Sequence, residues 1–199
     1  MIDETDFVAG ALSLDFVNTV GGIRSGPRDD KLERYDDLLE WAVLGGALAR
    51  RDAEALAARA AREPAEAARE LEEAKAFREA LHAVFAAYLA GVAPPQKSVD
   101  LVNRRIGTAL SHARLECDGR HYAWSWNAAD TLDAPLWAVA RNAGELLTVG
   151  QLSRLTECAS DTCGWFFLDS TKNHSRRWCD MKGCGNRDKV RRYRTKAAH

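Results

Sequence analysis

Apolar residues recur at helical spacing through the first 150 residues of this 199-residue chain. In residues 66–90 they fall at threes and fours on one side, which predicts a long amphipathic helix facing a core. The stripe consists of Leu71, Ala74, Phe77, Leu81, Val84, Phe85 and Tyr88. Shorter periodic stretches predict further helices over residues 35–50 with a break near Gly45, over 52–62, over about 99–110 and over 135–150. Residues 1–150 are therefore expected to form a mainly helical domain.

Two features of this domain depart from the helical pattern. Residues 113–117 and 120–126 alternate apolar with polar positions around Asp118-Gly119, a pair suited to a type I′ turn. They predict a small β-hairpin, which should pack on the helices because an isolated hairpin is marginally stable. Cys117 in this stretch is expected to be a buried small hydrophobe. Residues 21–30, rich in Gly, Pro and charge, predict a loop.

The net charge of −1 conceals an asymmetry between the two parts of the chain. Residues 151–199 carry 11 Lys and Arg against 5 Asp and Glu, whereas residues 1–150 carry 17 against 24. A basic module attached to an acidic domain suggests a polyanionic partner, most often nucleic acid. The alternative is that the module lies against the acidic surface of the domain itself.

The expected cellular compartment of the protein follows from the absence of an export signal and of a membrane-spanning segment in the sequence. The chain opens on acidic residues, Asp15 interrupts the next apolar run, and no stretch approaches the roughly 18 apolar residues that span a bilayer. We therefore expect a soluble, cytoplasmic protein without membrane association, where thiols stay reduced.

Four of the five cysteines are paired in the last quarter of the chain, as Cys158-x4-Cys163 and Cys179-x4-Cys184. Two close thiol pairs separated by a hairpin-sized segment can surround one tetrahedral metal ion. In a reducing compartment this spacing favours one Zn²⁺ ion over the alternatives of two disulfides or a redox pair. Four thiolates leave no open coordination position, so the ion is expected to be structural and the protein not to be an enzyme.

The residues around these cysteines predict a small zinc module over residues 151–199. Residues 164–168 should form a strand, residues 169–175 a polar turn and residues 176–179 the returning segment, so that a hairpin lies between the two cysteine knuckles. A basic helix should follow Cys184, as in a treble-clef finger. Because the module is too small for a large core, zinc should provide most of its folding free energy, on the order of 10 kcal/mol.

The final helix supplies candidate nucleic-acid contacts. At 100° per residue, Arg187, Arg191 and Arg194 form one ridge beside an apolar stripe of Val190, Tyr193 and Ala197, which should dock on the hairpin. Arginine can grip guanine or phosphate through two donors. The candidates are Arg176, Arg177, Arg187, Lys189, Arg191, Arg192, Arg194 and Lys196. Alternatively, some of these cations, or Lys182, neutralise the formal charge of about −2 on a zinc–tetrathiolate centre.

In the domain itself, Asp15, Asn18 and Thr19 lie within about one helical turn and could present polar groups to a small ligand. The alternative is that they cap a helix and close a turn. No phosphate loop, metalloprotease motif or nucleophile constellation is present in the sequence.

The cysteine motifs resemble those of a known family. The run Cys158-x4-Cys163-Gly164-Trp165-Phe166-Phe167-Leu168-Asp169, with Cys184-Gly185-Asn186-Arg187 further on, closely resembles the bacterial CGNR zinc-finger family. Leu14-Asp15-Phe16-Val17-Asn18-Thr19 and Leu38-Leu39-Glu40-Trp41 resemble its accompanying ABATE domain. The resemblance implies a stress-induced transcription regulator whose finger binds DNA, with Cys158, Cys163, Cys179 and Cys184 as zinc ligands and Arg187 as the motif arginine.

The sequence thus predicts a DNA-binding transcription regulator, associated with the nucleoid, whose helical domain senses a small-molecule effector or forms a homodimer. A single finger should bind weakly, which favours a dimer. The competing hypothesis is an adaptor for RNA or protein that uses zinc only to hold its end together. A third, a thiol oxidoreductase or metal hydrolase, lacks a Cys-x-x-Cys pair and an open ligand set.

Overall fold

The periodic segments of the sequence form helices. The computed structural model describes residues 2–22, 29–128 and 131–197, except for the side chains of residues 192 and 194–197. Within these residues lie seven α-helices: α1 Leu12–Val17, α2 Tyr35–Leu44, α3 Arg50–Arg62, α4 Pro64–Ala90, α5 Gln96–His112, α6 Trp137–Thr148 and α7 Asn186–Ala197. The prediction of a mainly helical protein with a small hairpin and a C-terminal four-cysteine module is confirmed. None of the helices in the described part of the chain has the length and apolar composition needed to span a bilayer.

Local residues set the ends of these helices. Helix α4 begins at Pro64, whose fixed φ suits the first helical turn, and ends before Gly91, which adopts a φ of +66°. Helix α2 ends before Gly45. A Cβ atom at Gly45 would lie 2.6 Å from Cε1 of Phe7, so the close approach of the N-terminal segment requires glycine here.

The strands form three antiparallel pairs. They are β1 Val20–Gly21 with β2 Asp29–Asp30, β3 Ala113–Asp118 with β4 His121–Trp126, and β5 Leu155–Glu157 with β6 Phe166–Leu168. The first pair brackets the segment expected to be a loop, of which residues 23–28 lie outside the described residues. The third pair belongs to the zinc module.

Helix α1 lies at the centre of the core although it is the shortest α-helix described. It packs against α4, α6 and strand β6. The ring of Phe16 lies 5.2 Å from that of Trp41 on α2 and 6.0 Å from that of Phe77 on α4. Because α1 touches both the helical domain and β6, it joins the core of the domain to the zinc module.

The β3–β4 hairpin forms as predicted, but its surroundings differ from the prediction. Its turn residues are Gly119 and Arg120, of which only Gly119 has a positive φ, so the turn is not type I′. The hairpin extends past the end of α5, and most of its side chains are exposed. The expectation that Cys117 is buried is therefore wrong, since no described element covers this part of the hairpin.

An arginine on the apolar face of α4 is buried. Arg78 donates two hydrogen bonds to the carboxylate of Asp30, at 2.8 and 2.7 Å, and a third to Oγ1 of Thr19 at 3.0 Å. Burial alone would raise the pKa of Asp30, but Arg78 holds it below its usual value. The arginine thus fastens β2 and the end of α1 to α4.

We expect Arg78→Gln to lower the free energy of unfolding by about 2 kcal/mol, because a half-buried carboxylate and a buried hydroxyl would lose their charged donor. Urea unfolding at neutral pH measures the change. Arg104→Gln, at an exposed position of α5, is the matched control. An equal loss in both variants would contradict the structural role given to Arg78.

Candidate metal centre and its docking on the domain

The first cysteine pair lies inside the β5–β6 hairpin. Cys158 and Cys163 fall between the two strands, and the backbone N–H of Cys158 donates to the carbonyl of Trp165 at 2.8 Å. Gly164, with a φ of +68°, turns the chain back into β6. Such a turn directs both thiols to the same side of the hairpin.

The predicted hairpin between the two cysteine pairs is therefore wrong. Residues 176–179 do not pair with β6, whose neighbour is β5. The opposite edge of β6 is occupied by the helical domain, since Asn18 bonds to both backbone groups of Phe166 and the N–H of Leu168 donates to the carbonyl of Ala9 at 2.7 Å. No edge remains for a returning strand.

The second cysteine pair lies in a compact turn that leads into α7. The carboxylate of Asp180 accepts a hydrogen bond from the N–H of Gly183 at 2.5 Å, and the N–H of Gly185 donates to the carbonyl of Asp180 at 3.0 Å. These bonds shape a single π-helical turn, Met181–Gly185, which contains Cys184. Helix α7 begins at the next residue, so its position depends on the cysteine turn.

The four sulfurs meet in one buried cluster. All four Sγ atoms lie within 4.8 Å of one another, and the Cys163–Cys179 and Cys179–Cys184 sulfurs are both separated by 3.6 Å. Zn–S bonds of about 2.3 Å in a tetrahedron place sulfurs about 3.8 Å apart, so the cluster matches the size of a zinc–tetrathiolate site. The separation is far greater than the roughly 2.0 Å of a disulfide.

The electrostatics of the cluster favour a bound cation. Hydrogen bonds from Cys163 and Cys179 lower the pKa of the Cys158 thiol, whereas the bond to Cys158 raises the pKa of Cys163. Several thiolates therefore cannot coexist at this spacing without a compensating charge. A divalent zinc ion supplies that charge when bound, and the four thiolates are the donors that zinc prefers.

Arg187 contacts the sulfur cluster directly. Its Nη2 atom donates to Sγ of Cys184 at 3.0 Å, and this bond raises the pKa of the guanidinium. The backbone N–H of Cys179 adds a longer bond of 3.4 Å to Sγ of Cys158. Arg187 therefore neutralises thiolate charge, as the alternative interpretation of the basic residues anticipated.

The side chain of Asn18 connects the zinc module to the helical domain. Its Nδ2 donates to the carbonyl of Phe166 at 2.8 Å, and its Oδ1 accepts from the N–H of the same residue at 3.0 Å. The amide thus takes the place of a neighbouring strand. The Phe166 ring stacks on His82 at 5.0 Å and meets Phe85 edge-on at 6.4 Å, which extends the core of the domain into the module.

Asp15 and Thr19 also make internal bonds. Oδ1 of Asp15 accepts from the N–H of Ala9 at 2.9 Å, and burial raises the pKa of this carboxyl to about 7. Thr19 donates to the carbonyl of Phe16 at 2.8 Å and accepts from Arg78. Together with Asn18 they are buried and support the docking of the module, so the geometry lends no support to an effector site at these three residues.

Arg176 holds the end of the module to the domain. Its guanidinium lies 4.4 Å from the ring centre of Phe167 and bonds to the carbonyls of Val8, Trp178 and Cys179. Its backbone N–H donates to the buried carboxylate of Asp169 at 2.9 Å. The prediction that Arg176 contacts nucleic acid gains no support, because its Nε and Nη2 atoms donate within the protein.

The other candidate nucleic-acid contacts differ in their exposure and in their partners. Arg177 is exposed, with its guanidinium 5.3 Å from the ring centre of Trp178, and Lys189 is exposed on α7. Arg191 is exposed but forms ion pairs with Asp161 and Asp188. The side chains of Arg192, Arg194 and Lys196 lie outside the described residues.

Helix α7 does not bury its apolar residues as predicted. Val190 and Tyr193 are 42 % and 75 % exposed, while Asp188 is buried. The carboxylate of Asp188 bonds to Arg191 at 2.8 Å, and the β5–β6 hairpin, on which the apolar stripe was expected to dock, packs on the helical domain instead. The side chain of Ala197 lies outside the described residues.

Two residues that organise the site were not found from the sequence. Arg78 stands on the apolar face of α4, a pattern that could have indicated a buried cation. Asp169 accepts bonds from the N–H groups of Thr171 and Arg176. The Asp-Ser-Thr sequence is typical of such a local turn and was the available signal.

Comparison with protein families agrees with this geometry. Residues 10–150 match the ABATE family, described as "putative stress-induced transcription regulator", over more than half of the chain. The chain belongs to the ABATE family. Residues 154–197 match the CGNR zinc finger, so the four-cysteine cluster of this ABATE protein is the site of one structural zinc ion. No curated protein matches the sequence significantly.

We expect the purified protein to contain one zinc ion per chain and Cys184→Ser to contain less than one. A hydroxyl is a poor substitute for a thiolate ligand, and the variant should lose several kcal/mol of stability because metal binding contributes to folding. Elemental analysis and thermal unfolding measure these effects. Cys117→Ser is the matched control and should retain one ion, and equal zinc loss in both variants would argue against the assigned site.

We also expect Asn18→Ala to destabilise the protein by about 2–4 kcal/mol, because both backbone groups of Phe166 would be buried without partners. Zinc should pass to a competing chelator faster in this variant, since the docked module loosens. Urea unfolding and chelator kinetics provide the measurements. Asn103→Ala, exposed on α5, is the control; normal stability and zinc retention in Asn18→Ala would contradict the docking role.

Proposed function

We propose that this protein is a DNA-binding transcription regulator in which zinc fixes a cationic helix at one end of a helical domain. The observation that carries the proposal is the exposure of α7 on a metal-anchored module. Arg187, Lys189, Val190, Arg191 and Tyr193 are all exposed on this helix, and Asp188, its acidic residue, faces inward. A helix of this character can lie in a DNA groove or along the phosphates.

The charge of the two parts supports a polyanionic partner. The module has six more basic than acidic residues, whereas the domain has seven more acidic than basic ones. If internal neutralisation accounted for the excess, the basic side chains should be engaged in the protein. Arg176 and Arg187 are engaged, but Lys172, Arg177, Lys182 and Lys189 are exposed.

The ion pair of Arg191 with Asp161 does not prevent it from binding phosphate. Asp161 is exposed, and ion pairs between exposed side chains contribute only about 0–1 kcal/mol, while the Nη2 atom of Arg191 stays bonded to the buried Asp188 at 2.8 Å. A phosphate can replace the carboxylate of Asp161 at little cost, and Tyr193 can donate a hydrogen bond to a phosphate oxygen. We therefore assign DNA contact to Lys189, Arg191 and their exposed neighbours, and give Arg176 and Arg187 structural roles.

The remaining parts of the proposal follow from this role. The closed set of four thiolates fits a structural ion, so no catalytic activity is assigned. DNA binding would place the protein at the nucleoid in the cytoplasm. The helical domain would position the module and provide contacts between copies.

The proposal predicts that affinity for duplex DNA falls steeply with salt, because each phosphate contact releases counterions. Lys189→Gln with Arg191→Gln should reduce the log–log salt slope by about 1.8, or about 0.9 for each contact removed. Fluorescence anisotropy with a pool of random-sequence duplexes, between about 50 and 200 mM salt, measures this slope. Lys97→Gln with Arg104→Gln, exposed on α5, is the control pair.

An unchanged slope in the α7 variant, or an equal change in the control, would refute the role of this helix. Tighter retention of single-stranded or duplex RNA than of DNA would instead favour the adaptor hypothesis. Retention of a protein partner at high salt, without DNA affinity, would have the same consequence.

A further inference from the structure

The β3–β4 hairpin has one apolar and one polar face. Its register pairs Ala113 with Trp126, Leu115 with Trp124 and Cys117 with Tyr122, and because side chains alternate along a strand, these six share one face. The opposite face carries the polar residues, as the 2.7 Å hydrogen bond from Ser125 to Glu116 shows. An amphipathic sheet of this kind normally covers a core with its apolar face.

Here the apolar face is exposed. Leu115 is 60 %, Tyr122 69 % and Trp124 44 % exposed, and the base of the hairpin is fastened where Nε1 of Trp126 donates to the carbonyl of Ala109 at 3.1 Å. Since aromatic side chains cover about 150–250 Å² each, the exposed face amounts to on the order of 300 Å². Patches of this size on a protein surface commonly mark an interaction site.

The shape of the face is complementary to itself. The β4 row consists of the large residues Tyr122, Trp124 and Trp126, whereas the β3 row consists of the smaller Ala113, Leu115 and Cys117. Rotation by 180° about an axis parallel to the strands, lying between two facing hairpins, places the aromatic row of each copy over the row of smaller residues of the other. Isologous interfaces require this kind of self-complementarity.

The charges of the hairpin also favour a second copy over a charged partner. Arg114 and Arg120 balance Glu116 and Asp118. The hairpin therefore offers no cationic excess for a polyanion, and two copies meet here without net repulsion despite the acidic character of the domain.

We infer that the β3–β4 hairpin is the homodimer interface of this protein, with the two apolar faces packed against each other across a two-fold axis parallel to the strands. The faces alone bury on the order of 600 Å² in total, below the roughly 1,200 Å² of a stable interface, so the dimer is reversible and depends on concentration. Helix α6, about 18 Å long, lies between the hairpin and the zinc module in the chain. The inference does not depend on DNA binding.

Sedimentation equilibrium of the zinc-loaded full chain, without DNA, tests the inference. The wild type should approach twice the chain mass of 22.0 kDa as its concentration rises. Leu115→Lys with Tyr122→Lys should raise the dimer dissociation constant at least tenfold, because two buried charges would meet the partner's apolar face. Ala123→Lys, on the opposite face of β4, should leave it unchanged; zinc content and circular dichroism verify folding of each variant.

Crosslinking through Cys117 tests the geometry. With sheets about 10 Å apart and strands about 4.8 Å apart, the proposed axis places the two Cys117 residues about 11 Å from each other. A bismaleimide of that reach should crosslink wild-type chains. It should not crosslink the Cys117→Ser variant. It should also not crosslink the double variant Cys117→Ser with Glu116→Cys, because the thiol of that variant lies on the polar face. A monomer at all concentrations, a dimer equally weakened by Ala123→Lys, or crosslinking through position 116 would overturn the inference.

Discussion

The mutual repulsion of four thiolates within 4.8 Å is the constraint on which the C-terminal part of the structure depends. The sulfurs come from the β5–β6 hairpin and from the turn that precedes α7. A divalent ion converts this repulsion into an attraction that holds the segments together. The position of α7 is therefore a consequence of metal binding, since Cys184 is separated from its first residue by Gly185 alone.

The zinc module contacts the helical domain at several residues. Asn18 and Ala9 bond to the edge of β6, Val8 accepts from Arg176, and Phe166 packs on α4. The N-terminal segment is held in turn by Asp15, whose carboxylate accepts from the N–H of Ala9. Asp15, Asn18 and Thr19 therefore link the fold of the helical domain to the module. A substitution in α1 should therefore also affect the four cysteines, and a substitution at the cysteines should affect α1.

The sequence allowed the local features to be predicted and left the tertiary ones open. The period of residues 66–90 identifies α4, and the spacing of the cysteines identifies the cluster, because both signals are complete within short stretches of chain. The strand partner of β6 could not be predicted in this way, since the edge of Phe166 is taken by Asn18, 148 positions away. The exposure of Cys117 likewise depends on which elements pack against the hairpin. The alternation of apolar and polar residues along a strand does not reveal this.

The basic residues of the module show why composition alone cannot assign a nucleic-acid surface. Arg176, Arg187 and Lys189 all contribute to the excess of basic residues in the module. Arg176 nevertheless donates to three backbone carbonyls, and Arg187 donates to the sulfur of a zinc ligand. Both contacts stabilise the module. Lys172, Arg177, Lys182 and Lys189 of the same module are exposed. A zinc module of this size can therefore combine a folded, neutralised centre with a cationic surface, provided that different residues serve the two purposes.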